Sequence, residues 1–108
     1  MSQVTTHVLD AALGTPASGV PVSLHSEDGD ILGVGLTDAD GRIGALGPDA
    51  LPVGVYTLVF DTGLYFERDG RESFYPNVTI TFALAEEGAH YHVPLLLSPF
   101  AYSTYRGS

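Results

Sequence analysis

Val78-Thr79-Ile80-Thr81-Phe82-Ala83-Leu84 alternates large apolar side chains with small or polar ones. Successive side chains of a strand point to opposite faces, so this period of two places Val78, Ile80, Phe82 and Leu84 on one side of a half-buried strand. The same period continues outward in both directions. Tyr91, Val93, Leu95 and Leu97 share a face opposite His90, His92, Pro94 and Leu96, and Ala101 to Tyr105 is rich in the Tyr, Ser and Thr that strands favour. Toward the N-terminus, Tyr56, Leu58 and Phe60 interleave with Val55, Thr57 and Val59, as in a strand covered on both faces. Leu32, Val34 and Leu36 alternate with Gly33 and Gly35, and Val20, Val22 and Leu24 with Pro21, Ser23 and His25. A first strand, Val4 to Asp10, carries Thr5 and His7 on one face.

Turn residues separate these runs. Asp28-Gly29-Asp30 closes a hairpin between the second and third strands, and Asp40-Gly41 does the same for the next pair. Gly47-Pro48 through Gly54 reads as a loop, and Pro99 ends a strand because proline cannot donate to the ladder. One segment breaks the period. Thr62 to Gly70 predicts a turn or two of helix, entered near Thr62 and stopped at Gly70. Seven or eight short strands with brief connections make an all-β protein, a β-sandwich.

With 108 residues, one domain spanning 1–108 is expected. Cysteine is absent, which excludes disulfides, thiolate metal sites and cysteine nucleophiles. The N-terminal stretch lacks the basic and apolar regions of a signal peptide, and no run is long enough to span a bilayer, so the expected location is cytoplasmic. The net charge of −9, with four arginines and no lysine, argues against binding nucleic acid or an anionic membrane.

Against that acidic background, each cation and histidine is informative. His90 and His92 project from the same strand face, a spacing suited to metal ligation or proton transfer. A metal would need a third ligand, and no motif supplies one, so no metal or other cofactor is expected. Asp38-Ala39-Asp40-Gly41-Arg42 invites a calcium reading, but Ile43 stands where the calcium loop needs glycine. The simpler reading is a turn in which aspartate caps its own backbone and Gly41 takes positive φ. No phosphate-binding glycine loop and no Gly-x-Ser-x-Gly elbow is present. The aromatic tail Tyr102-Ser103-Thr104-Tyr105-Arg106-Gly107-Ser108 suggests docking into a groove or interface.

Four segments together resemble one family, the transthyretin-like hydroxyisourate hydrolases. They are Thr6-His7-Val8-Leu9-Asp10 with Gly14, Pro16 and Ala17; Thr37 to Arg42; Phe74-Tyr75-Pro76 with the strand after it; and Tyr91 to Pro99 followed by Tyr102 to Ser108. The terminal Tyr105-Arg106-Gly107-Ser108 is the specific element, because hormone-carrying transthyretins resemble the family elsewhere but lack it. The resemblance implies a transthyretin-like two-sheet sandwich of about eight strands with one short helix. It further implies a homotetramer, a dimer of dimers with active sites where the dimers meet. The implied activity is hydrolysis of 5-hydroxyisourate, a small-molecule substrate, in urate breakdown. By position, His7, Arg42, His92 and Ser108 carry over as catalytic residues, and His7, Arg42 and Tyr105 as substrate-binding ones. Arg68, Arg71, His25 and His90 have no counterpart there and are expected to be surface residues. A non-catalytic carrier using the same channel is the alternative. A surface-protein sandwich module locked by a lysine–asparagine bond is excluded, since the chain has no lysine.

Overall fold

The period-two segments form two sheets in a computed structural model that describes residues 2–107. The first sheet is built on β1 (Val4–Asp10) and β8 (Tyr91–Ser98), which run parallel, with Thr5 opposite His92 and His7 opposite Pro94. The far side of β8 pairs antiparallel with β9 (Ala101–Thr104). On its other edge, β1 pairs with two short strands in succession. β5 (Arg42–Ile43) lies beside Thr6 and His7, and β2 (Thr15–Pro16) lies beside Leu9 and Asp10. The second sheet is wholly antiparallel in the order β4 (Ile31–Leu36), β3 (Pro21–Ser26), β6 (Gly54–Phe60), β7 (Val78–Leu84).

The inward faces meet in one core. Val4 and Val8 of β1 and Val93, Leu95 and Leu97 of β8 face Val22, Leu24, Leu58, Phe60, Val78 and Leu84 of the second sheet. Fully burying a side chain such as Leu58 contributes about 1.5–3 kcal/mol. The phase of β1 follows from this: with Val4 and Val8 inward, Thr5 and His7 must stand on the outer face. Thr6 also points inward, and its hydroxyl donates to the Val93 carbonyl at 2.6 Å.

The all-β sandwich and its single short helix, α1 (Thr62–Arg68), match expectation, and Asp61 caps the helix by accepting from the Leu64 N–H. Three expectations need correction. In β4 Val34 and Leu36 face outward, 70% and 64% exposed, while Leu32 packs against the core. Gly33 and Gly35 take the inner face because backbone and side chains crowd it. A Cβ on Gly33 would lie 2.5 Å from the Gly47 nitrogen, and one on Gly35 3.3 Å from Ile43. Asp40-Gly41 closes no hairpin. It is a corner between sheets, since β4 belongs to the second and β5 pairs with β1 of the first. Arg71 is not a free surface residue. Its Nη2 lies 2.7 Å from Oδ2 of Asp10, whose side chain is wholly buried, and the same oxygen accepts from the Tyr65 hydroxyl at 2.8 Å. Arg68, by contrast, is exposed and donates to the Gly19 carbonyl, and His25 is half-buried against the Ser23 hydroxyl. No helix among the described residues is long and apolar enough to cross a membrane.

Candidate active site

The outer face of the first sheet gathers residues that lie far apart in sequence. His7 and Thr5 come from β1, Arg42 from β5 and His92 from β8, with His90 just before that strand. Register sets their proximity: His7 pairs with Arg42 on one side, and Thr5 pairs with His92 on the other. Thr5, Thr6, Arg42, Ile43, Gly44, His90 and His92 line a shallow cleft of about 260 Å³.

The turn before Arg42 explains its placement. Asp38 Oδ1 accepts from the Asp40 N–H at 2.8 Å and from the Arg42 N–H at 3.0 Å. These bonds hold the Asp38 carboxyl below the ordinary carboxylate range, the Arg42 N–H contributing most. Gly41 takes φ +77° and its carbonyl accepts from the Val8 N–H at 2.7 Å. A Cβ on Gly41 would collide with the Val8 carbonyl oxygen. Glycine therefore lets the corner close on β1, and the next residue, Arg42, falls opposite His7. The turn reading of this motif holds.

Each histidine is anchored through one ring nitrogen. His7 Nε2 lies 2.9 Å from the Asp40 carbonyl oxygen. A carbonyl only accepts, so Nε2 donates and Nδ1 is the bare nitrogen of the neutral ring. His92 Nδ1 lies 2.8 Å from the Thr5 hydroxyl oxygen. Burial most strongly lowers the pKa of His92, and the charge of Arg42 and the proximity of His90 and His7 depress it further. The acidic chain thus concentrates cationic groups at one spot.

The tail reaches the same histidine. Arg106 stacks its guanidinium 4.4 Å from the Tyr91 ring centroid, and the Gly107 N–H donates to the His92 carbonyl at 2.8 Å. A Cβ on Gly107 would lie 2.6 Å from His92 Cδ2, so glycine is required where the tail passes the ring. Tyr105 lies in an adjoining apolar cleft of about 230 Å³, with His92 in the wall between it and the Arg42 side. Ser108 lies outside the described residues. The structure brings His7, Arg42 and His92 onto one face of the first sheet. His90 was set aside as a surface residue, but although exposed it reaches the site through Thr5, whose hydroxyl lies 2.8 Å from His90 Nε2. Thr5 carried no role of its own in the sequence, where its only signal was sharing a strand face with His7. Among the described residues, no three histidine, cysteine or acidic side chains stand where they could hold a metal ion.

Fold and site together define a two-sheet sandwich with a histidine–arginine cluster on the outer face of one sheet. The HIUase/Transthyretin family model matches residues 4–107, and the chain belongs to that family. It is 45% identical to 5-hydroxyisourate hydrolase of Mus musculus over 113 residues, covering 99% of this chain and 96% of the mouse protein. The structure of Klebsiella pneumoniae 5-hydroxyisourate hydrolase superposes with a TM-score of 0.91 at 45% identity, covering all of this chain and 94% of that one. Sea bream transthyretin in complex with thyroxine superposes with a TM-score of 0.89 at 36% identity, covering 97% and 94%.

Proposed function

We propose that this chain hydrolyses 5-hydroxyisourate to 2-oxo-4-hydroxy-4-carboxy-5-ureidoimidazoline. The observation that carries the reading is the convergence of His7, Arg42 and His92 on one outer face, in a chain 45% identical to enzymes of that name. In the proposed reaction water adds to a ring carbonyl and the adjacent C–N bond breaks. The water oxygen becomes part of a new carboxyl group, and the ring nitrogen leaves as part of the ureido group.

His92 acts as the base. Its Nδ1 is held by Thr5, which leaves Nε2 to take the proton from water and return it to the leaving nitrogen. Its lowered pKa favours the neutral form that a base requires. Arg42 stabilises the oxyanion of the tetrahedral intermediate, an effect commonly worth about 3 kcal/mol or more. His7, fixed by the Asp40 carbonyl and paired with Arg42, orients the substrate from the strand between Arg42 and His92. Tyr105 binds substrate from the tail, which Arg106 and Gly107 hold against β8, and Ser108 is the further catalytic residue of the proposal.

The proposed assembly is a homotetramer. Its support is a sheet that ends on β9, all four of whose residues are exposed, beside an exposed aromatic cluster of Phe74, Tyr75 and Tyr102. Decay of freshly generated 5-hydroxyisourate, followed by ultraviolet absorbance, tests the function. Rapid loss proportional to protein concentration is expected. Decay no faster than the spontaneous reaction, from folded protein that binds thyroxine, would replace hydrolysis with the carrier reading.

A further inference from the structure

The Thr5 hydroxyl is placed between two imidazoles. Its oxygen lies 2.8 Å from His92 Nδ1 and 2.8 Å from His90 Nε2. Thr5 is buried, whereas His90 is exposed. A hydroxyl has one proton, so it donates to one ring nitrogen and accepts from the other. The two tautomers are therefore coupled. If His92 carries its proton on Nδ1, Thr5 donates to His90 and His92 Nε2 is bare. If His90 carries a proton on Nε2, Thr5 donates to His92 and His92 Nε2 is protonated.

We propose that Thr5 and His90 form a proton relay that carries charge between His92 and the protein surface during hydrolysis. The proposal rests on the hydrolase reading and deepens it. When His92 Nε2 takes a proton from the attacking water, the Nδ1 proton passes to the Thr5 oxygen and the Thr5 proton passes to His90 Nε2. His92 is left neutral and protonated at Nε2, and the positive charge resides on His90. The reverse shift accompanies donation from His92 Nε2 to the leaving nitrogen, so no proton is gained or lost over the cycle. The direction has a physical reason. A charged His92 is disfavoured by burial and by the Arg42 charge beside it, while exposed His90 is open to water. On the cleft side Arg42, His7 and the Asp38 carboxylate are the other titratable groups, with Thr6 the remaining polar side chain, and on the tail side Tyr91, Tyr105 and Arg106 line the adjoining cleft with His92. The ring centroids of His90 and His92 are 6.3 Å apart with the planes inclined by 27°, and the Thr5 hydroxyl lies 2.8 Å from a nitrogen of each.

The test compares kcat, KM and pH–rate profiles of wild type, Thr5→Val, Thr5→Ser and His90→Ala in the absorbance assay, the last with and without added imidazole. Thr5→Val keeps the side-chain shape but has no hydroxyl. It is expected to lower kcat about tenfold or more, less than the roughly hundredfold or greater effect of removing a general acid–base group itself, with KM within about twofold. Thr5→Ser should retain most of the rate, and imidazole should restore much of the rate lost by His90→Ala. Wild-type kcat in both Thr5→Val and His90→Ala would overturn the relay while leaving hydrolysis intact. So would equal losses in Thr5→Val and Thr5→Ser together with no imidazole rescue, since that pattern marks a structural role. If Thr5→Val fails to fold, the His90→Ala rescue decides alone. Absence of wild-type hydrolysis overturns the relay together with the function on which it rests, a result that cannot be confused with the first two.

Discussion

At the residue scale, the surroundings of His92 disfavour its charged form. Burial contributes most, then Arg42, then the other histidines. A depressed histidine pKa means that the folded protein binds fewer protons than the unfolded chain below the ordinary value of about 6.5. The neutral imidazole is therefore favoured, and the contribution of His92 to stability is lost as pH falls from that value through the folded pKa. An NMR titration of the His92 ring protons is expected to show a midpoint below about 6.5. Arg42→Gln should raise that midpoint without restoring it fully, because burial remains. A midpoint unmoved by Arg42→Gln would show that the arginine charge does not reach the imidazole.

At the scale of elements, two devices hold the site in place. The first is the corner that delivers Arg42. Gly41→Ala adds a Cβ at positive φ against the Val8 carbonyl, and is expected to cost about 1–3 kcal/mol in denaturant unfolding while displacing Arg42 and depressing the rate. A fully stable, fully active variant would refute this account of the turn. The second is the Asp10–Arg71–Tyr65 cluster, which ties the end of β1 to the helix region. Burial is the largest influence on Asp10 and pushes its pKa up, but the hydrogen bonds from Arg71, Tyr65 and Leu13 and the charge of Arg71 together hold it below its ordinary value. The Tyr65 hydroxyl is pushed up to about 12, chiefly by burial and then by its bond to Asp10. Arg71→Met leaves the Asp10 carboxylate uncompensated and should destabilise by about 3–5 kcal/mol. Because a depressed carboxyl stabilises the fold above its unfolded pKa of about 3.9, that contribution is lost as pH falls through the folded value. Thermal melts of Asp10→Asn should accordingly depend less on pH below about 4 than those of wild type.

At the scale of the whole molecule, what could be read from the sequence followed from locality. The alternation in β3, β6, β7 and β8 and the helix from Thr62 are local patterns, and the sandwich was legible from them. The parallel pairing of β1 with β8 joins residues 4–10 to residues 91–97, and nothing local encodes it. That pairing creates the Thr5 bridge, so the sequence shows that His90 and His92 share a strand face but not that the Thr5 hydroxyl joins them. The inverted face of β4 was missed for a related reason: Gly33 and Gly35 face inward because of Gly47 and Ile43, distant neighbours that periodicity does not report. The exposed β9 edge carries the assembly prediction. Light scattering should give about four times the 11.4 kDa chain mass, and a monomer that retains full activity would contradict a site completed between subunits.

Whether the His7–Arg42–His92 face performs the hydrolysis is decided by the steady-state rate of 5-hydroxyisourate loss for untagged wild type against His92→Asn. A fall in kcat of about a hundredfold or more, with circular dichroism and mass unchanged, is the predicted result. Retention of the wild-type rate by the folded variant would place the chemistry elsewhere on the molecule.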